Sequence, residues 1–151
     1  MKIIKIFLFF YSISIFASTI NIANTGSDES GDGTFENPFL TIQKGVDVAL
    51  SMDTVFVSNG IYEGGIIIYN KAISLIGESR DETKINQPIS LPQISIFDSQ
   101  DDTVRVENFR IKRGNSERGG GLSIARSSVV INNVELSNNN SSNNGGAINA
   151  I

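Results

Sequence analysis

The last third of the chain repeats one pattern of apolar residues, asparagines and glycines. A shift of 25 places residues 104–111 (VRVENFRI) on residues 129–136 (VVINNVEL) and keeps every apolar position of the pattern. A shift of 26 places residues 119–124 on residues 145–150 in the same way. A period in this range is typical of a solenoid, in which each repeat buries its apolar face by stacking on its neighbours.

The spacing inside the repeat indicates which solenoid this is. Val104 and Val106 alternate as in a strand, but the next apolar residue, Phe109, comes three positions later. The strand therefore turns a corner at Asn108, and at Asn133 in the next copy, where asparagine tolerates a positive φ. We predict an all-β parallel β-helix of four to five coils, stacked about 4.8 Å apart. The nearest alternative is a leucine-rich horseshoe.

The composition favours strands and excludes several kinds of site. The chain has 23 Ile and 9 Val against 7 Leu and 7 Ala, and β-branched residues prefer strands. It has no Cys and no His, which excludes disulfides, thiolate zinc sites and a histidine general base. A net charge of −4 and a pI near 4.8 disfavour a nucleic-acid partner.

The middle of the chain reads as earlier coils of the same kind, so that the β-helix is expected to span residues 52–151. Apolar pairs at spacing two mark its strands: Val55 and Val57, Ile66 and Ile68, Ile73 and Leu75, Ile94 and Ile96. Pro88 and Pro92 cannot donate a ladder hydrogen bond, so we expect residues 87–93 to form a loop that leaves the coil.

Residues 18–51 are expected to form an amino-terminal cap. Residues 19–23 predict a first strand, and residues 38–51 predict one short amphipathic helix that covers the open end of the β-helix. Thr41 is the expected N-cap, and Gly45 inside the helix costs about 1 kcal/mol against alanine. The apolar face of this helix is predicted to consist of Ile42, Val46, Ala49 and Leu50.

Residues 1–17 have the composition of a secretory signal peptide. Lys2 and Lys5 precede an apolar run over residues 6–16, and the small residues Ala17 and Ser18 follow. About 11 apolar residues are fewer than the roughly 20 of a membrane-spanning helix, although retention as an anchor is the alternative. We expect cleavage after Ala17 and a mature chain, without a transmembrane helix, that is secreted or lies at the outer-membrane surface.

Several motifs resemble those of known proteins. Two groups carry the likeness: Gly26-Ser27-Asp28, Asn37-Pro38-Phe39, Thr41-Ile42-Gln43-Lys44 and Gly60-Ile61-Tyr62 in the first, and Gly119-Gly120-Gly121-Leu122 and Gly145-Gly146-Ala147-Ile148 in the second. The first group resembles the cap and first coil of the pectin-lyase-like superfamily, which implies a right-handed single-stranded β-helix. The second resembles the repeats of polymorphic outer membrane proteins, which implies an exported surface passenger.

The candidates for catalysis are Asp98, Asp101 and Asp102, with Arg105 downstream. The resemblance implies a pectate-lyase-like mechanism, in which carboxylates hold Ca²⁺ and an arginine or lysine takes the proton beside a uronate carboxyl. The alternative is a solvated turn between coils, since the equivalent residues 125–128 of the next coil hold no carboxylate.

A second candidate site is a calcium loop in which Asp28, Ser30 and Asp32 occupy ligand positions 1, 3 and 5. Position 12 is Phe39 where such loops carry glutamate, so a glycine-rich loop that shapes the cap is the alternative. No other cofactor is expected.

Other polar and aromatic residues have simpler interpretations. Arg110 and Glu135 occupy the same outward position one coil apart, so we expect an ion pair worth less than about 1 kcal/mol. Tyr62 and Tyr69 could stack on sugar rings, or they are ordinary surface aromatics. The Asn and Ser tract 138–144 contains two glycosylation sequons and reads best as a solvated turn.

Two functional hypotheses follow. The first is a surface β-helix protein with a structural, adhesive or carbohydrate-binding role, whose partner is an extracellular polysaccharide or a host or neighbouring cell surface. The second is the amino-terminal part of a calcium-dependent polysaccharide lyase. In both cases we expect that the chain continues beyond Ile151, because that residue falls inside a strand pattern.

Overall fold

The computed structural model describes residues 17–99 and 103–151. The predicted signal peptide, apart from Ala17, lies outside the described residues, as do Asp101 and Asp102. The elements, in chain order, are β1 (Thr19–Ile22), α1 (Ile42–Val48), β2 (Thr54–Val57), β3 (Gly60–Tyr62), β4 (Ile66–Tyr69), β5 (Ser74–Gly77), β6 (Thr83–Ile89), β7 (Ile94–Phe97), β8 (Thr103–Glu107), β9 (Arg110–Arg118), β10 (Leu122–Ala125), β11 (Ser128–Asn132), β12 (Glu135–Ser137), β13 (Asn140–Asn144) and β14 (Ile148–Ala150).

The strands form three parallel sheets that run along one solenoid. The first sheet has the order β1-β2-β5-β8-β11, the second β3-β6-β9-β12 and the third β4-β7-β10-β14, while β13 pairs with β9. The chain visits the three sheets in turn and makes a solenoid of about three turns, from β2 to β10. The structure thus has about three turns where the sequence predicted four to five coils, with β1 before these turns and the layer β11, β12 and β14 after them. A parallel β-helix is therefore confirmed.

The strand register follows the sequence repeat. Val104 lies beside Val129 and Arg110 beside Glu135, as the first sequence shift requires. Leu122 lies beside Ile148, as the second shift requires. Like side chains therefore lie above one another and build continuous apolar rows. One row in the first sheet runs Ile20, Val55, Leu75, Val106, Ile131.

The interior is filled by these rows, and each fully buried aliphatic side chain contributes about 1.5–3 kcal/mol. Burial is complete in the middle coils, where the largest enclosed side chains include Phe109, Ile68 and Ile96. It falls off in the last layer, where Val129 and Leu136 are only partly buried. In the part of the chain described, no helix is long and apolar enough to cross a membrane.

Helix α1 lies across the end of the stack that begins with β1, as predicted. The Thr41 hydroxyl accepts a hydrogen bond from the Lys44 backbone N–H at 3.2 Å and so acts as the expected N-cap. Gly45 faces the interior, where an added Cβ would lie 2.5 Å from Ile22 Cδ1 and 3.1 Å from Val55 Cγ1. Glycine lowers the helix propensity at this position, but its lack of a side chain allows the helix to approach the sheet closely.

Two sequence predictions are corrected in detail. The helix ends at Val48 and Leu50 is 65% exposed, because Ala49 already has an extended backbone that turns the chain away. Residues 87–93 do not all leave the coil, since β6 runs to Ile89 through Pro88. A shift in the β6–β9 register between Asn86 and Ile89 accommodates the proline, which cannot donate to the ladder.

The corners of the coils use the predicted left-handed conformations. Asn108 has φ 62° and Asn133 has φ 51°, as their place in the repeat requires. Asn70, Asp98 and Arg126 share the same kind of corner after β4, β7 and β10, with φ between 46° and 58°. The corner residues therefore stack from coil to coil on the outside of the solenoid.

Candidate functional site

The glycine-rich cap loop places its two aspartates in separate hydrogen-bonding roles. Asp28 Oδ1 accepts from the backbone N–H groups of Leu40 and Thr41, and Asp28 Oδ2 accepts from the Thr41 hydroxyl at 2.6 Å. Asp32 Oδ1 accepts from the backbone and the hydroxyl of Thr34 at 2.9 and 2.7 Å. Asp28 thereby joins the loop to the start of α1.

These contacts also determine how the loop carboxylates titrate. Burial alone would raise the pKa of Asp28, but the hydrogen bonds from Thr41 and Leu40 together bring that pKa below its ordinary value. The Thr34 hydrogen bonds lower the pKa of Asp32. Ser30 is the third predicted ligand. Among the described residues, its hydroxyl forms no hydrogen bond with either carboxylate, and its carbonyl accepts from Asn37 Nδ2 at 2.9 Å. Within residues 17–99 and 103–151, no three acidic side chains are grouped closely enough to hold a metal ion.

Of the predicted catalytic carboxylates, only Asp98 lies in the described part of the chain. It sits at a corner, and its Oδ1 accepts from Arg126 Nε at 2.5 Å, one coil further on. This hydrogen bond lowers the pKa of Asp98 and raises that of Arg126. The pair thus bridges two corners of the same stack.

The candidate base Arg105 points outward from β8 and lies 3.8 Å from Glu107 Oε1 on its own strand. Arg110 shows the predicted cross-coil pairing, since its Nε donates to Glu135 Oε2 at 2.8 Å. A second bond, from Arg110 Nη2 to Asp81 Oδ1 at 2.8 Å, was not predicted. The Arg110 contact lowers the pKa of Glu135.

The two tyrosines have different environments. Tyr62 is only 5% exposed, its hydroxyl donates to the Ser58 carbonyl at 2.8 Å, and burial raises its pKa to about 12. A sugar ring therefore has no access to its face. Tyr69 is 54% exposed and its ring lies 5.2 Å from that of Phe97, one coil away.

Strand β13 takes up the last five residues of the Asn and Ser tract 138–144, which connects neighbouring coils. Asn139 donates its amide to the Ile111 carbonyl at 3.0 Å, and its Oδ1 accepts from the Gly114 N–H at 3.0 Å. Asn140 Nδ2 donates to Asn115 Oδ1 at 3.1 Å. Residues 140–144 are therefore a largely solvent-exposed strand paired with β9, where the sequence predicts a solvated turn.

The structure contains a cleft between the cap loop and the first coil that the sequence motifs did not predict. It has a volume of about 540 Å³ and is bounded by residues 21, 23–27, 30 and 35–38 and by the turn at Ser58 and Asn59. Phe35 is one of its lining residues and is 78% exposed. These segments are far apart in the sequence and lie outside the repeat of residues 104–151. The signal that the sequence carries is one phenylalanine, Phe35, within a polar loop.

Comparison of the chain with protein-family models, with curated proteins and with solved structures finds no match.

Proposed function

We propose that this chain is an exported β-helix protein, displayed at a cell surface or secreted, with an adhesive or structural role that extends to carbohydrate binding. The observation that carries the proposal is that charged side chains on the outside of the solenoid form ion pairs between neighbouring coils. Arg110 bridges Asp81 and Glu135, and Asp98 pairs with Arg126, so these groups join coils into one continuous surface. A rigid solenoid with long outward faces is a suitable scaffold for contacts with a polymer or another cell.

Two sequence features support the exported location. The lysines, apolar run and small residues of 1–18 have the order found in a secretory signal, and a chain without cysteine folds without disulfide machinery. The Gly-Gly-Ala-Ile motif at residues 145–148 resembles the repeats of polymorphic outer membrane proteins, and the cap resembles the pectin-lyase-like superfamily.

Fractionation of cells that express the full chain tests this proposal. We expect the protein in the medium or at the protease-accessible surface, with an amino terminus at Ser18 by mass spectrometry. Leu8→Arg, which interrupts the apolar run, should hold the protein inside the cell, whereas Leu50→Arg, at an exposed site of the cap, should not. Full-length protein that stays in the cytoplasm would contradict the proposal.

A polyuronate assay addresses the lyase alternative. We expect no release of unsaturated uronates from pectate in the presence of Ca²⁺, because Arg105 and Asp98 are each engaged in ion pairs. Calcium-dependent release that Asp101→Ala abolishes would establish the lyase in place of the adhesive role.

A further inference from the structure

We propose that the cleft between the cap loop and the first coil, here called the cap cleft, binds a neutral oligosaccharide. The inference rests on the proposed surface role and names the ligand class. A pyranose offers an apolar C–H face and a ring of hydroxyl groups, and the cap cleft offers an aromatic ring beside amide and hydroxyl groups. The residues that carry the argument are Asn24, Ser27, Phe35, Glu36, Asn37 and Asn59.

The wall of the cap cleft is held rigidly before any ligand arrives. Asn37 donates from Nδ2 to the Ser30 carbonyl, and its backbone carbonyl accepts from the N–H groups of Asp32 and Gly33. The Gly31 N–H donates to the Ser27 carbonyl at 2.9 Å. A preorganised wall avoids the entropy of ordering a loop on binding, which matters for weakly bound ligands such as sugars.

Phe35 provides an exposed aromatic platform in the lining of the cap cleft. It lies in the tight turn between Asp32 and Asn37. Hydrogen bonds between backbone and side-chain atoms close this turn. The ring is 78% exposed although burial of a phenylalanine side chain stabilises a fold by about 1.5–3 kcal/mol. An aromatic ring that a rigid turn holds in solvent beside a polar cleft is well placed to stack on a sugar face.

The floor of the cap cleft supplies hydrogen-bonding groups. Asn59 Oδ1 accepts from the hydroxyls of Ser79 and Thr83 at 3.1 and 3.2 Å, which fixes the orientation of its amide. In the described part of the chain, Asn59 Nδ2 and the side chain of Asn24 make no hydrogen bond. Each amide can therefore meet the hydroxyl groups of a ligand.

The charge of the cap cleft selects against acidic sugars. Glu36 is the one ionisable side chain among the described residues that line it. A uronate would bring a second carboxylate to this site with no cation to offset it, which is unfavourable. The volume of about 540 Å³ lies within the range of about 300–1,000 Å³ that is usual for small-molecule sites.

Calorimetric titration of the purified chain with tetrasaccharides of glucose, mannose and galactose, and with tetragalacturonate as the anionic counterpart, tests the inference. We expect millimolar or tighter binding of at least one neutral tetrasaccharide and at least tenfold weaker binding of tetragalacturonate. Failure of every neutral tetrasaccharide to bind, or equal binding of tetragalacturonate, would overturn the inference.

Variants locate the site. Phe35→Ala should weaken binding about tenfold or more, Phe35→Trp should preserve it, and Leu91→Ala, which removes an exposed apolar side chain elsewhere, should leave it unchanged. Glu36→Lys should improve the binding of tetragalacturonate. Equal affinity of Phe35→Ala and the parent chain would place the sugar elsewhere and overturn the inference.

The two proposals fail in distinguishable ways. Loss of neutral sugar binding in a chain that is still displayed at the surface contradicts the cap cleft alone. A cytoplasmic chain that still binds the sugar contradicts the proposed surface role alone.

Discussion

Asn133 donates its side-chain amide to the side-chain oxygen of Asn108 at 2.9 Å, and both residues occupy a left-handed corner of the solenoid, one coil apart. Asparagine thus tolerates the positive φ of the corner, and its side chain also forms a hydrogen bond to the neighbouring corner. Asn140 and Asn115 form a similar side-chain bond of 3.1 Å between strands β13 and β9. Asparagine at the corners therefore serves both the local backbone geometry and the stack.

Replacement of Asn108 separates these two contributions. Asn108→Ala should lower the free energy of unfolding by about 1–2 kcal/mol, because alanine is strained at positive φ and cannot form the side-chain bond. Asn108→Gly loses the bond and keeps the corner, so it should cost less than the alanine variant. Urea unfolding measures both, and an alanine variant as stable as the glycine variant would contradict the role of the corner.

The Gly-Gly motif of each repeat marks a place where backbones of neighbouring segments meet. A Cβ at Gly120 would overlap the backbone oxygen of Asn140 and would lie 2.8 Å from that of Gly114. The equivalent Gly146 in the last layer is less crowded, with its nearest contact, the Asn139 oxygen, at 2.9 Å.

Gly120→Ala should therefore destabilise the chain by about 2 kcal/mol or more, and Gly146→Ala by less than about 1 kcal/mol. The midpoints of urea unfolding give the comparison. Equal losses for the two variants would show that glycine is needed for something other than this close approach.

Acid should weaken the joint between the cap loop and α1. The folded pKa of Asp28 lies below its ordinary value of 3.8, so its contribution to stability is present above about pH 3.8 and is lost as the pH falls through the folded pKa. Asp28→Asn should be less stable than the parent near neutral pH, and the difference should shrink below pH 3.8. Urea unfolding from neutral pH into this acid range measures the change.

Glu29→Gln is the matched control, since it removes one negative charge from the same loop. Near neutral pH, Glu29→Gln should lower the free energy of unfolding less than Asp28→Asn does. A difference between Asp28→Asn and the parent that is the same at every pH would contradict a titrating contact at this position.

Much of the fold could be predicted because its information repeats. The sequence shifts match Val104 with Val129 and Leu122 with Ile148, and the same residues are paired in the sheets. In a stack of parallel coils, the length of the sequence repeat therefore determines the strand register. The N-cap at Thr41 and the corner at Asn108 were also predictable, because each depends on one side chain and its own backbone.

The rest depended on contacts between distant segments. The exposure of Leu50 follows from the extended backbone at Ala49, and the strand through Pro88 follows from a register shift against β9. The second partner of Arg110, Asp81, precedes the regular part of the repeat and does not match its period. The cap cleft brings together Phe35 and Asn59, which α1 and β2 separate in the sequence, so no periodic pattern could have indicated it.

The central structural claim is the parallel, in-register stacking of the coils, and engineered cysteines test it directly because the chain has none of its own. Arg105 and Val130 are register partners on the outside of β8 and β11. Paired strands lie about 4.8 Å apart, which is within the range of a disulfide, whereas Arg105 and Asn132 are offset by two further positions and lie about 8 Å apart.

We expect Arg105→Cys/Val130→Cys to form an intramolecular disulfide in mild oxidant, as shown by the intact mass, and Arg105→Cys/Asn132→Cys to remain reduced under the same conditions. Efficient oxidation of the second pair, with the first pair reduced, would contradict the in-register stacking of the coils.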